Sequence, residues 1–271
     1  MPLPDNRRIN GPRETYQITS FLTPQHNDAD VPSTGIVNDK GLRKDTRRTD
    51  EVRPIYLKAG VVQSANGSAY LETSGTKLTC AVYGPRDYAK RHQFRSSGKL
   101  TCSLTFAPFS KPQRFTEIRD SLSTEYSNFI ADSLMSAVCL DAYPKSQIDV
   151  YVNVLEDNGN TLSYAITAAS VALADAGIEM VDLVTSSSLV FNDDVFCLDP
   201  DSSEQKHKDV YGKMSIAYLP SLNKISCLLQ DGAVEVERSI ELVNTCLEGC
   251  LRVHDVMKEC LLKAPNTDEE S

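Results

Sequence analysis

No stretch of this 271-residue chain approaches the roughly 20 consecutive apolar residues that a membrane-spanning helix needs. Its first ten residues, Met1 to Asn10, are polar and carry prolines, which does not fit a secretory leader, so the sequence reads as that of an intracellular protein without a membrane partner. It also lacks an excess of positive charge. The net charge of −9 argues against a broad nucleic-acid-gripping surface, so any RNA contact has to be local or shared with partner chains. The eight cysteines include no Cys-x-x-Cys pair, which argues against a structural zinc site. Cys80, Cys102, Cys139 and Cys227 sit in apolar runs, where a free cysteine behaves as a small hydrophobe. Cys246, Cys250 and His254 make a Cys-x3-Cys-x3-His row on one helix face. Core packing explains that row without a metal, and no metal or other cofactor is expected. Walker-type and dinucleotide motifs are missing, and no Ser/His/Asp or Cys/His arrangement stands out.

What is present is an ordinary globular composition, 41% hydrophobic and 24% charged, distributed unevenly. Residues 1–45 are polar and rich in proline, and read as an extended or disordered arm in which Phe21 and Leu22 offer one anchoring point. Residues 264–271 read as a frayed acidic tail, leaving 46–263 as a single domain whose first strand signal follows Val52. Strand signals at Pro54–Leu57, Val61-Val62, Ala69–Glu72, Lys77–Tyr83 and Leu100–Phe106, with a hairpin turn signal at Asn66-Gly67, predict an antiparallel meander. The period then changes. Tyr126, Phe129, Ile130, Leu134, Ala137 and Val138 recur at helical spacing, and Ile148, Val150, Val152 and Val154 alternate as in a half-buried strand. An alanine-rich helix over 161–176 ends at Gly177, a suitable C′ residue. Strands are predicted at Leu183–Phe191, Lys213–Tyr218 and Ile225–Leu229. A long closing helix over 235–262 should bury Val236, Ile240, Val243, Leu247, Cys250, His254, Met257 and Leu261. The fold class is α+β, with helices packed on mixed sheets.

Three segments carry candidate chemistry. Asp157 to Ser163 joins a strand to a helix, a natural anion site because the first N–H groups of a helix lack intrahelical partners. On local grounds alone a simple capped turn, with Asn160 or Thr161 as N-cap, describes it better. Leu198 to Gly212 is acidic around a basic Lys206-His207-Lys208, and suits either metal and acid–base work or a solvated loop. Gly84 to Lys99 gathers Arg86, Lys90, Arg91, His92, Arg95 and Lys99 between two strands, for phosphates or for an acidic neighbour.

Five stretches follow in order: Arg53–Gly60, Ala65–Tyr70, Ala81–Arg86, Tyr143–Ser146 and Thr167–Gly177. Together they resemble the RNase PH family, in particular the RNase PH-like subunits of the RNA exosome. Within it, Lys58–Leu71 and Gly177–Val184 look most like the eukaryotic ring subunits of the mRNA-transport type. The resemblance implies an RNase PH-like fold of βαβα units. It also implies pairing with another RNase PH-like chain inside a six-membered ring around an RNA channel, S1/KH-type RNA-binding cap subunits on one face and a processive nuclease on the other. The compartments it implies are nucleus, nucleolus and cytoplasm. Active members phosphorolyse RNA from the 3′ end, holding phosphate with an arginine at the strand-to-helix junction. Here that junction reads Gly159-Asn160-Thr161-Leu162-Ser163, and leucine offers neither charge nor donor. Of two acidic positions, Asp209 matches the first and Ser215 falls at the second. An Arg-Arg pair before the first helix is replaced by Ser121-Leu122, with Arg114 and Arg119 nearby. The resemblance therefore implies a non-catalytic subunit with a degenerate site, in which Arg86, Lys90, Arg91, Arg95, Arg114 and Arg119 are candidate RNA contacts. The alternative is a working phosphate-dependent 3′-to-5′ exoribonuclease whose site a partner completes.

Overall fold

The computed structural model describes residues 37, 42–87, 97–111, 121–192, 195–208 and 210–263. The terminal arm through residue 36 and the tail from 264 lie outside the described residues. Arg43, three residues ahead of the boundary expected at 46, is completely buried.

Strands β1 (Tyr56–Ala59), β2 (Gly67–Thr73) and β3 (Thr76–Asp87) form the expected antiparallel meander. Strand β4 (Lys99–Phe106) does not extend it. The sheet order is β1-β2-β3-β5-β4, with β5 (Ser146–Glu156) inserted between β3 and β4. β5 runs antiparallel to β3 and parallel to β4. A parallel pair needs a crossover rather than a hairpin, and helix α1 (Ser121–Met135) lies between β4 and β5 in the chain and packs on β4. The alternation read in β5 is realised: Ile148, Val150, Val152 and Val154 are at most 1% exposed, whereas Tyr151 is 43% exposed.

Helix α2 (Thr161–Asp175) is buried continuously from Thr161 to Leu173. It touches β2 and β3 on one side and β6 (Thr185–Phe191) of a second sheet on the other. Its alanines, Ala165, Ala168, Ala169 and Ala172, make such close packing possible. Asn66-Gly67 is not a two-residue hairpin turn. β1 and β2 are joined by a longer connection, in which Asn66 Oδ1 accepts from the Gly84 N–H and the Asn66 N–H donates to Val82 O. Gly67 is glycine for another reason: a Cβ there would lie 2.2 Å from Ala176 N and 2.4 Å from Ala172 O. Both are backbone atoms of the end of α2, which cannot swing aside as a side chain does. Gly67→Ala is expected to cost about 1–3 kcal/mol, the range for overpacking a filled core, read as a lower urea midpoint at unchanged slope.

The second sheet has the order β7-β6-β8-β9, with β7 (Phe196–Leu198), β8 (Gly212–Leu219) and β9 (Lys224–Asp231), all pairs antiparallel. The one-turn helix α3 (Ser202–Gln205) occupies part of Leu198–Gly212, and β7 ends at the first residue of that segment. Helix α4 (Val236–Lys263) covers the face of this sheet opposite α2, which makes the chain α+β with helices on both faces of the second sheet. Its buried line is Leu242, Cys246, Gly249, Cys250, Val253, His254 and Met257. The expected stripe is wrong at its start, because Val236 is 78% and Ile240 59% exposed. Gly249 sets the approach of α4 to the sheet: a Cβ there would lie 2.8 Å from Ser187 Oγ.

Candidate functional site

Between the end of β5 and the start of α2 the backbone turns through Gly159 (φ +90) and Asn160 (φ +59), both in the left-handed region. Glycine and asparagine are the residues that enter it most readily. Asp157 Oδ1 accepts from the Gly159 N–H at 3.1 Å and from the Thr161 hydroxyl. Thr76 Oγ donates to Gly159 O at 3.1 Å and accepts from the Asn158 N–H at 3.2 Å. Asn160 holds the N-cap position without capping. Its amide nitrogen donates to Asp199 Oδ1 at 2.7 Å, and its carbonyl oxygen accepts from Ser188 Oγ.

Asp199, 1% exposed, organises the surroundings. Its carboxylate accepts from the Arg53 backbone N–H (2.8 Å), from Arg53 Nε (3.0 Å) and Nη2 (2.9 Å), from Asn160 and from the Tyr164 hydroxyl (2.7 Å). The Arg53 guanidinium continues to the carbonyls of Asn158 and Gly159 at 3.3 and 3.2 Å and to Asp201 at 3.3 Å. It also lies 5.3 Å from the Tyr164 ring centroid. Burial pushes the Asp199 carboxyl up, but the Arg53 charge and the donated hydrogen bonds outweigh it and hold the group below the usual carboxylate range. Burial and the neighbouring carboxylate push the Tyr164 phenol well up, so it stays a donor. Arg43 donates to the carbonyls of Leu198, Thr49 and Asp199 and lies 3.7 Å from Glu204.

The segment carrying α3 closes over the turn. The Ser202 N–H donates to Asn158 O at 3.0 Å, and a Cβ on Gly159 would meet Ser202 N, Asp201 C and Pro200 O within 2.8–2.9 Å. Thr161 and Leu162 are 5% and 6% exposed and Ser163 is fully buried. Leu162 packs in the main hydrophobic core. Ser215 stands on β8 directly opposite Ser188, whose hydroxyl reaches Asn160, so it shares the face on which the turn sits. Asp209 lies outside the described residues, as do Lys90, Arg91, His92, Arg95, Arg114 and Arg119. Arg86, at the end of β3, pairs with Asp149 at 3.4 Å and lies 5.4 Å from the Tyr83 ring centroid. Ser121 and Leu122 open α1.

Sequence reasoning missed the Arg53–Asp199–Tyr164 network. Arg53 entered it only as part of a family stretch and Asp199 only as one acid among several. A signal was present in Asp199-Pro200, a carboxylate bordered by the apolar Leu198, but nothing local named its partner 146 residues away.

Residues 51–179 match the model of the RNase PH family, described as the 3′ exoribonuclease family, domain 1. The chain is 36% identical over 229 residues to the exosome complex component mtr3 of Schizosaccharomyces pombe, covering 83% of this chain and 89% of that protein. It is 35% identical over 277 residues to the mouse exosome complex component MTR3, covering 96% and 95% of the two. Pyrococcus furiosus Rrp41, an exosome complex component, is 38% identical over 83% of this chain and 90% of its own length. Among solved structures, rice Rrp46 superposes with a TM-score of 0.70 at 22% identity, covering 80% of this chain and 98% of that one. A chain of the Archaeoglobus fulgidus exosome with RNA bound to the active site superposes at 0.71 and 19% identity, covering 80% and 92%. The fold, the order of the motifs and the identity shared across most of the chain's length together establish that the chain belongs to the RNase PH family.

Proposed function

We propose that the chain is a non-catalytic ring subunit of an RNA exosome, of the Mtr3 kind. It would support 3′-to-5′ RNA processing by holding its place in a six-membered ring and helping to wall the RNA channel. The observation that carries the reading is Leu162: the position of the family's phosphate-holding arginine is filled by a leucine packed in the core. Ser215 supplies no carboxylate charge, and Ser121-Leu122 no cation, at the other two positions. The buried Arg53–Asp199 pair fits a framework role, because its charges are spent on one another and on carbonyls of the turn. Its partners in this reading are a second RNase PH-like subunit, S1/KH-type cap subunits, the processive nuclease and RNA in the channel. Its compartments are nucleus, nucleolus and cytoplasm, and its domain spans 46–263. Arg86 and the basic run to Arg95, with Arg114 and Arg119, are the candidate channel contacts.

The similarity to Rrp41 and the exoribonuclease family keeps one rival in view, a phosphorolytic enzyme completed by a partner. Incubating the purified chain, alone and paired, with 3′-labelled RNA and inorganic phosphate separates the two. No nucleoside diphosphate attributable to this chain is expected. Phosphate-dependent diphosphate release abolished by Asp209→Ala would overturn the proposal.

A further inference from the structure

Strand β1 is the outermost strand of its sheet, and among the described residues nothing pairs with its far edge. The Gly60 N–H, one residue past its end, donates to Ser68 O of β2 at 2.9 Å. Ladder groups alternate sides along an antiparallel strand, so the N–H and C=O of Leu57 point away from β2. Helix α4 flanks this edge. Between the two runs an open groove, in two adjoining parts of about 440 and 370 Å³ that share Ile55 and Val256. Its floor is apolar, with Val52, Ile55 and Leu57 on the strand side and Val253, Val256 and Cys260 on the helix side. Val256 and Cys260, one helical turn apart, are only half-buried by the chain's own core. An unpaired strand edge beside an apolar trough is a surface that soluble chains normally cover or charge.

The chain carries a segment that fits. Thr15–Thr23 reads Thr-Tyr-Gln-Ile-Thr-Ser-Phe-Leu-Thr, rich in strand formers, free of charge, and bounded by Glu14 and Pro24. In an extended chain Tyr16, Ile18 and Leu22 share one face, and Thr15, Gln17, Thr19, Phe21 and Thr23 the other. The segment lies outside the described residues, but the point where its chain joins the domain does not. Val37 bridges to Arg43, the Arg43 N–H donates to Arg47 O, and Arg47 lines the end of the groove nearest Val52. The arm therefore meets the domain at the groove's mouth. Residues 23–36, which separate Leu22 from Val37, cover about 20 Å as a flexible chain and about 50 Å when extended. A tether of that length holds the segment at roughly millimolar effective concentration, an advantage that a strand from a second molecule lacks. We propose that Thr15–Thr23 adds to the free edge of β1 as an antiparallel strand and seats Ile18 and Leu22 in the groove against α4. The direction follows from the tether, which enters at the N-terminal end of β1. The main-chain ladder supplies the affinity and the alternate side chains fix the register. This seat is intramolecular and independent of the ring-subunit reading.

Amide exchange on the full-length chain, alone in solution and read residue by residue, reports both sides of the contact. The amides of Tyr16–Leu22 and of Leu57 are expected to exchange at least about tenfold slower in the unaltered chain than in Ile18→Asp combined with Leu22→Asp, the signature of a locally closed unit. Both substitutions lie in the arm and leave the residues of the two cores untouched, so the variant keeps its domain for comparison. Thr19→Glu, on the face turned away from the groove, should keep the protection. Arm amides that exchange at the rate of an unstructured peptide overturn the proposal. So does an arm that is protected while Leu57 ignores the double variant, since the arm would then sit elsewhere. A homodimer that the double variant converts to monomer would assign the strand to a second copy and overturn the intramolecular seat. Protection of Leu57 that arises only on adding another protein would give the groove to that partner and overturn it likewise.

Discussion

Replacing Asp199 with alanine is expected to lower the folding free energy by about 3–5 kcal/mol, the range for removing one partner of a buried ion pair. The loss follows from what is left behind. The Arg53 guanidinium keeps its burial, with only the part-exposed Asp201 carboxylate and two carbonyls to meet it. The Tyr164 hydroxyl and the Asn160 amide each lose an acceptor inside the protein. Asn160 is the left-handed residue that starts α2, so the damage reaches the helix around which both sheets pack. Urea unfolding measures the cost. A loss under 1 kcal/mol would show that the network is not a keystone. Asp199→Asn should recover part of the loss, because it keeps the shape and one acceptor oxygen while giving up the charge.

The same carboxylate gives stability a pH signature. Its pKa in the folded chain lies below the ordinary value of 3.8. The contribution is therefore fully present above the unfolded pKa, about 4, and is lost as pH falls through the folded value. Asp201 acts in the opposite sense, since burial raises its pKa and its protonation favours the folded chain. The Asp199 effect should dominate the acid limb because that group is the more deeply buried and the more heavily hydrogen-bonded of the two. Asp199→Asn is expected to flatten the fall of Tm below about pH 4.

Period and punctuation made most elements legible. β5 shows its two-residue alternation, α2 its alanine run closed by Gly177, and α4 its length. Strand partnership was less legible. Nothing in β4 announces that β5 will intervene, because pairing is decided by a crossover through α1 and not by any residue of β4. The Asn66-Gly67 signal misled because glycine can be required by a neighbour's backbone as well as by a turn. The start of α4 misled because an apolar stripe does not by itself say how far the sheet reaches along it: Val236 and Ile240 stay exposed. At the candidate site, the junction at 157–163 was located by its strand-to-helix grammar. Its chemistry was not, since Arg53, the Asn160–Tyr164 start of α2 and Asp199 converge from three separate segments and only tertiary packing brings them together.

Leu162→Arg, which on the proposed reading restores the family's residue, is expected to produce no phosphorolysis and to cost about 2–4 kcal/mol, by removing a buried aliphatic side chain and asking a charge to occupy its place. Leu162 sits in the first turn of α2 at 6% exposure among core residues, and Thr161 before it and Ser163 after it are buried as well. Nearby cations are already committed: Arg53 to Asp199 and Asp201, and Arg43 to Glu204 and three carbonyls. On the proposed reading the arginine, the second acid, at whose position Ser215 stands, and the Arg-Arg pair are separate losses, so repairing one leaves the others. The readouts are the melting temperature of the variant and diphosphate release from labelled RNA in phosphate buffer, each measured with the partner chain present. Release from the Leu162→Arg variant alone among the pairs tested would mean that a single residue separates this chain from catalysis. Its absence, together with a lowered melting temperature, would show that the position has been rebuilt as core and that the fold is maintained for what it assembles with.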